Sequence, residues 1–151
     1  MGTATPARLL DVNGSSIFRS NLRIVNASAG KTNWEVFQAQ VSTVDATVTT
    51  LATVAIPTDS EVLLKFQVTG RRSGGSAGAN GDSAAYERTA RFKNVGGTVT
   101  INNLQTDYTS EDQASWDGTM TVSGTNALIR VKGANNNNVD WTATYFVQTL
   151  S

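Results

Sequence analysis

The sequence predicts an all-β protein: an antiparallel two-sheet β-sandwich, jelly-roll-like, with an extended N-terminal arm. Three observations predict it. Apolar and polar residues alternate with period two in several segments, the spacing of side chains on half-buried strands. Clusters of Gly, Asn, Ser and Asp separate those segments at the regular intervals of sandwiches and barrels. Charged residues make up only 16% of the chain, so the Glu/Lys/Leu-rich faces of surface helices have little material to draw on.

Taken in order, residues 1–45 read as an N-terminal arm with short strands, and residues 46–151 as the sandwich domain. In the arm, Leu9, Leu10, Val12, Ile17 and Phe18 are spaced by polar and small residues without a sustained period. They are too few for a core of their own, so they are expected to bury against the sandwich, a neighbouring subunit or a larger particle, as assembly or anchoring residues. Strands are expected at residues 16–25, 34–41 and 47–56. The next is Val62, Leu64, Phe66 and Val68 alternating with Glu61, Lys65, Gln67 and Thr69. Residues 71–82 are too poor in apolar side chains to pack alone, so a mobile hairpin tip or an arm ordered against a neighbour is expected. Ala84, Tyr86, Ala90 and Phe92 resume the alternation, residues 98–102 form a short strand, and Trp116, Met120 and Val122 lead through Gly124-Thr125-Asn126 into Ile129 and Val131 as a hairpin. Residues 135–138, after Gly133-Ala134, read as a turn between the last two strands. Val139, Trp141, Ala143, Tyr145 and Val147 form the last and most regular strand.

Lys plus Arg equals Asp plus Glu at 12 each. No electrostatic footprint draws the chain to nucleic acid or to an anionic membrane. No run of about 18 apolar residues is long enough to span a bilayer, and residues 1–8 lack a signal-peptide pattern or a myristoylation signal. A soluble product made in the cytoplasm is expected. The chain has no Cys and no His, which excludes thiol nucleophiles, cysteine or histidine zinc sites, disulfides and imidazole catalysis. No catalytic, cofactor or metal residue is therefore assigned, and a non-enzymatic protein is expected.

Several motifs invite a sharper reading and yield to a plainer one. Gly30-Lys31-Thr32 follows an apolar segment, but a phosphate-binding loop needs a glycine where Val25 stands and a helix where Trp34-Glu35-Val36-Phe37 continues as strand. Gly74, Gly75, Gly78 and Gly81 are followed by strand alternation, whereas a dinucleotide fingerprint opens a helix. Asp107, Glu111, Asp112 and Asp117 form an acidic cluster; glycoside hydrolysis or a calcium ion are conceivable uses of such groups, and a polar turn ahead of a strand near Trp116 is the expectation. Trp116 and Trp141 fall on apolar faces and read as core, while Trp34 is open between core and a sugar-stacking platform. Two N-glycosylation patterns, at Asn13 and Asn26, have no secretory context. Loop contacts with a partner are expected from Arg71, Arg72, Asn80, Asp82, Asn135, Asn136 and Asn137.

From about Ala52 to Ser151 the runs Val68-Thr69-Gly70-Arg71-Arg72-Ser73-Gly74-Gly75, Gly81-Asp82-Ser83-Ala84-Ala85-Tyr86, Phe92-Lys93-Asn94-Val95-Gly96-Gly97-Thr98-Val99 and Gly133-Ala134-Asn135-Asn136-Asn137-Asn138-Val139-Asp140-Trp141 resemble a C-terminal β-sandwich of tailed-bacteriophage virion proteins. The resemblance implies a structural virion component that acts as a homo-oligomer, a trimer by analogy, with capsid or tail proteins as partners. A short arm followed by a single sandwich suits a capsid decoration or cement protein, and the alternative is a receptor-binding, glycan-recognising tip or fibre of the tail.

Overall fold

The computed structural model describes residues 22–25 and 32–151. These form nine strands: β1 Leu22–Val25, β2 Thr32–Thr43, β3 Thr49–Ala55, β4 Ser60–Gly75, β5 Ser83–Val95, β6 Thr98–Glu111, β7 Asp117–Ser123, β8 Asn126–Lys132 and β9 Asn137–Leu150. There is no helix among the described residues. All pairings are antiparallel, in a six-stranded sheet ordered β1-β2-β9-β4-β5-β6 and a three-stranded sheet ordered β3-β8-β7. The chain is thus the all-β, two-sheet sandwich that the alternation predicts. β9 returns to lie between β2 and β4 while β8 returns to lie beside β3, so the two halves of the chain interleave in Greek-key fashion. β2, set with the arm on sequence grounds, pairs with β9 from Thr32↔Leu150 to Thr43↔Val139.

Period two explains the core. Val62, Leu64, Phe66 and Val68 of β4, Tyr86, Ala90 and Phe92 of β5, and Val139, Trp141, Ala143 and Tyr145 of β9 all point toward the small sheet. They meet Leu51 and Val54 of β3, Met120 of β7, and Ala127, Ile129 and Val131 of β8, with Trp116 closing one end. The crossing from one sheet to the other is held by buried Asn94, whose Nδ2 donates to the carbonyl of Ile56 at 2.7 Å.

Turn chemistry sets the registers. Gly96 and Gly97, with φ of 56° and 88°, make the two-residue β5–β6 loop, the positive-φ pair that a type I′ hairpin demands. Gly124, φ 56°, takes the first central position of the β7–β8 loop between Ser123 and Asn126.

Two expectations are corrected. β6 runs to Glu111, far beyond the short strand expected at residues 98–102, and so carries Glu111, expected in a polar turn ahead of Trp116, on a strand together with Asp107; Asp112 to Ser115 do form the turn. The small sheet does not extend beneath this edge, so residues 103–111 are exposed on both faces. Register shifts against β5 at Glu87/Arg88 and Thr89/Arg91 add unpaired residues. A strand that is bulged and wet on both sides has no apolar alternation to detect. The 71–82 segment is likewise no loose tip. β4 extends to Gly75, and the Arg72 guanidinium donates to the carbonyls of Ala77 (2.9 Å) and Gly75 (2.6 Å) and to Asn80 Oδ1 (2.8 Å). One cation replaces the apolar packing that the loop lacks. Leu9, Leu10, Val12, Ile17 and Phe18, and the turn read at Gly30-Lys31, lie outside the described residues.

At the centre of the molecule Trp141 lies flat against Gly70, its cross-strand partner. A Cβ on Gly70 would come within 2.3 Å of the Trp141 ring. Gly70→Ala is therefore expected to destabilise the fold by ~2 kcal/mol or more through overpacking. Gly74→Ala, whose Cβ would meet Asn138 Nδ2 at 3.4 Å, is expected to change stability little. Urea unfolding midpoints of the two variants check this, and equal midpoints would refute the packing argument.

Candidate functional site

Side chains that alternate away from the core make the outer face of the six-stranded sheet, and at one end this face hollows into a groove of about 880 Å³. Its floor follows from cross-strand registers. One row runs Gln40, Thr142, Thr69, Ala85, Ser110 across β2, β9, β4, β5 and β6; the next runs Ser42, Asp140, Arg71, Ser83. Short side chains at Thr142, Thr69, Ala85 and Ser83 on the three middle strands leave a trough, with Arg71 standing in it, between Gln40 on one bank and Tyr108, 54% exposed, on the other. Below it lie the main chains of Gly70 and Trp141.

Donors and acceptors line this trough. Asp140 Oδ1 accepts from Ser42 Oγ at 2.6 Å, and Asp112 Oδ2 accepts from Ser83 N at 2.8 Å and from Ser83 Oγ at 3.1 Å. Each carboxylate is thereby oriented with its second oxygen outside those bonds. Between them Arg71 is exposed and makes no ion pair among the described residues. A guanidinium has five donors in a fixed fork and a carboxylate has only acceptors, so the trough can both give and take hydrogen bonds along its length. Beyond it, an ion pair between Lys65 and Glu87 and a bond from Thr89 Oγ1 to Asp107 Oδ2 (2.5 Å) close the polar zone. The Glu87 carboxylate raises the pKa of the Lys65 ammonium above its ordinary value.

The Tyr108 bank needs anchoring, because β6 is an edge strand with little packed beneath it. Arg88 points inward from β5, is 7% exposed, and donates to the carbonyls of Tyr108 (2.6 Å) and Glu87 (3.0 Å), directly at the bulge. Its guanidinium also lies over the Tyr86 ring, 5.4 Å from the centroid. Tyr86 donates its hydroxyl to Glu111 Oε2 at 2.6 Å, tying down the end of β6.

The residues singled out in the sequence are distributed as follows. Arg71 lies in the trough, while Arg72 is bound inside its own loop. Asn80, Asn135 and Asn136 are exposed, whereas Asp82 and Asn137 are buried at 9% and 1%. Asp82 Oδ2 accepts from Ala79 N (2.8 Å) and Gln113 Nε2 (2.7 Å), which makes it a staple of the loop. The acidic residues do not converge, and no group of three or more acidic side chains able to hold a metal occurs among the described residues. Trp116 and Trp141 are core at 2% exposure each. Trp34 lies outside the groove, tilted against Phe146 with centroids 6.0 Å apart. Gln40, Ser42, Thr69, Tyr108, Ser110 and Thr142 went unnoticed in the sequence, where each is one polar position on an unremarkable strand.

No protein-family model matches the chain, and no curated protein does. Solved structures that the chain matches in part include phage tailspike proteins. Tailspike gp49 of the Acinetobacter baumannii bacteriophage Fri1, a capsular polysaccharide depolymerase, matches with a TM-score of 0.47 and 11% identity over 86% of this chain and 20% of its own. The tailspike of Acinetobacter baumannii phage AM24 matches with a TM-score of 0.44 and 9% identity over 75% of this chain and 26% of its own. That of Acinetobacter phage vB_ApiP_P1 gives 0.34 and 16% over 89% and 23%. The chain spans about a fifth to a quarter of the length of these proteins. A depolymerase is an enzyme, and its presence among the structural neighbours overturns the expectation of a non-enzymatic chain. The inference from composition was too broad: lacking His and Cys removes imidazole and thiol chemistry, whereas glycoside cleavage runs on carboxylates. No helix among the described residues is long and apolar enough to cross a membrane.

Burial, and then the bond to Glu111, push the Tyr86 phenol well above its ordinary pKa of 10.0, and burial does the same to Tyr145. A raised pKa means that the neutral phenol is favoured in the fold. The associated stability is fully present below pH ~10 and falls as pH rises above it, because the unfolded phenol ionises first. Tyr86→Phe is expected to lower stability at pH 8 and to flatten its decline between pH 9.5 and 11.5. Chemical denaturation at stepped pH tests this, and parallel curves for the two proteins would show that Tyr86 carries no such linkage.

Proposed function

We propose that the chain is a component of a phage tail and that its outer groove recognises a glycan. The observation that carries this reading is the groove itself: an open trough as wide as five strands, with a small-residue floor, an exposed tyrosine on one bank, and both hydrogen-bond donors and acceptors along it. Sugars present vicinal hydroxyls and weakly apolar ring faces. Oriented carboxylates such as Asp140 and Asp112 accept hydrogen bonds from pairs of hydroxyls, Arg71 and Gln40 donate hydrogen bonds to ring and hydroxyl oxygens, and the Tyr108 ring offers a stacking face. An elongated, open shape suits a segment of polymer better than a compact metabolite, which is ordinarily enclosed by apolar walls.

The resemblance of the turn motifs to a virion sandwich supports the setting, with the sandwich presented outward on a particle. Side-by-side copies, three by that analogy, belong to the same proposal. A capsid decoration role is the less favoured reading: it needs a footprint on a shell and gives no use to a solvent-facing polar trough.

The test is direct binding of the purified chain to a panel of bacterial capsular and lipopolysaccharide-derived oligosaccharides by glycan array and calorimetry, with released reducing ends measured on the same samples. Tyr108→Ala and Arg71→Ala are each expected to weaken binding by on the order of tenfold, equivalent to ~1.4 kcal/mol. Lys93→Ala, outside the groove, is expected to leave it unchanged. Binding that is absent across the panel, or indifferent to the groove variants, would overturn the proposal.

A further inference from the structure

The same outer face changes character at the end away from the groove. Val36 of β2 and Phe146 of β9 are cross-strand partners, Leu22 of β1 is the partner of Val36, and Trp34 and Leu63 flank Gln148 one row on. Trp34 tilts against Phe146 at 6.0 Å, and Leu63 is 45% exposed. The small sheet packs on the opposite side, which leaves Leu22, Trp34, Val36 and Phe146 only half-buried beside exposed Leu63. An apolar patch with a polar rim, here the Lys65–Glu87 and Arg91–Glu61 pairs, marks a contact surface.

We propose that residues 1–21 of the same chain cover this patch, with Ile17 and Phe18 seated against Trp34 and Phe146. Four points on the chain lead there. Leu22 belongs to the patch and is the residue at which the preceding segment joins the sheet. That segment carries Leu9, Leu10, Val12, Ile17 and Phe18 without the means to build a core alone. Ser20-Asn21, immediately before Leu22, are turn-forming residues, so the sequence is suited to reverse direction there. Reach is ample, because the patch spans three strand spacings, roughly 15 Å, and 21 extended residues span up to ~70 Å.

The experiment exploits two features of the protein. Trp34 is the one tryptophan outside the core, and the chain has no cysteine. Acrylamide quenching is compared in the full chain and in an Ile17→Ser, Phe18→Ser double variant, with Trp34→Phe identifying the Trp34 signal and near-ultraviolet dichroism of the buried tryptophans showing that the sandwich is intact. The expected result is a several-fold rise in Trp34 quenching in the double variant, with protection in the full chain independent of protein concentration. Oxidation of a Phe18→Cys, Leu63→Cys pair is expected to give a disulfide within one chain, identified by mass spectrometry. Equal quenching in the two proteins would overturn the proposal. So would protection that disappears on dilution, or a disulfide formed only between chains, either of which assigns the patch to a second copy.

Discussion

The packing of the Trp141 ring on Gly70 is the contact on which the rest of the molecule depends. β9 and β4 can lie side by side at this point because Gly70 leaves room for an indole where any Cβ would collide. The ring also joins the layers. Trp116 meets it edge-on at 5.6 Å, Tyr86 lies 6.4 Å away, and its Nε1 donates to Thr43 Oγ1 of β2 at 2.9 Å. Four strands are thus referenced to one side chain, with its polar atom satisfied inside the core, as a buried indole requires.

This core arrangement has a consequence on the other side of the sheet. Inward positions of β4 and β9 are full, so their outward neighbours, Thr69, Arg71, Asp140 and Thr142, stand in fixed cross-strand rows. The groove is the outer surface of the best-packed part of the molecule, which gives its polar groups a rigid base. Its Tyr108 bank is built differently: β6 has little packed beneath it and is held by a buried guanidinium and a buried phenol, through Arg88 and Tyr86. Hydrogen bonds substitute there for apolar burial, and bulges keep the exposed edge from presenting a flat ladder to other chains.

One face therefore carries two surfaces of opposite chemistry, divided by the Lys65–Glu87 pair. The polar half suits hydroxyl-rich ligands and the apolar half suits a segment of protein. Because both are outward-facing positions on the same strands, ligand contact and chain contact can occupy the sheet together without competing for residues.

What the sequence determined by itself was everything that depends on local period and composition. Val62 to Val68, Ala84 to Phe92 and Val139 to Val147 alternate so cleanly that strand identity, inward face and core membership follow from the hydrophobic effect acting on a two-residue repeat. Gly124 announced its hairpin because a positive φ has few occupants. Composition misled where it was asked about chemistry, since counting absent residue types says nothing about what the carboxylates present can do. The continuation of β6 beyond residue 102 escaped notice because both its faces are wet there, and the order of residues 71–82 escaped because it rests on a single Arg72 reaching across a loop. Arg71 and Asp112 draw notice in the sequence, but the groove that they join belonged to tertiary structure. Gln40, Thr69, Arg71, Tyr108, Asp112 and Asp140 sit on or beside five strands drawn from distant parts of the chain, and they become neighbours only through the strand order β2-β9-β4-β5-β6. Strand order is set by how the two layers bury their apolar faces together, a global free energy to which no single segment holds the key.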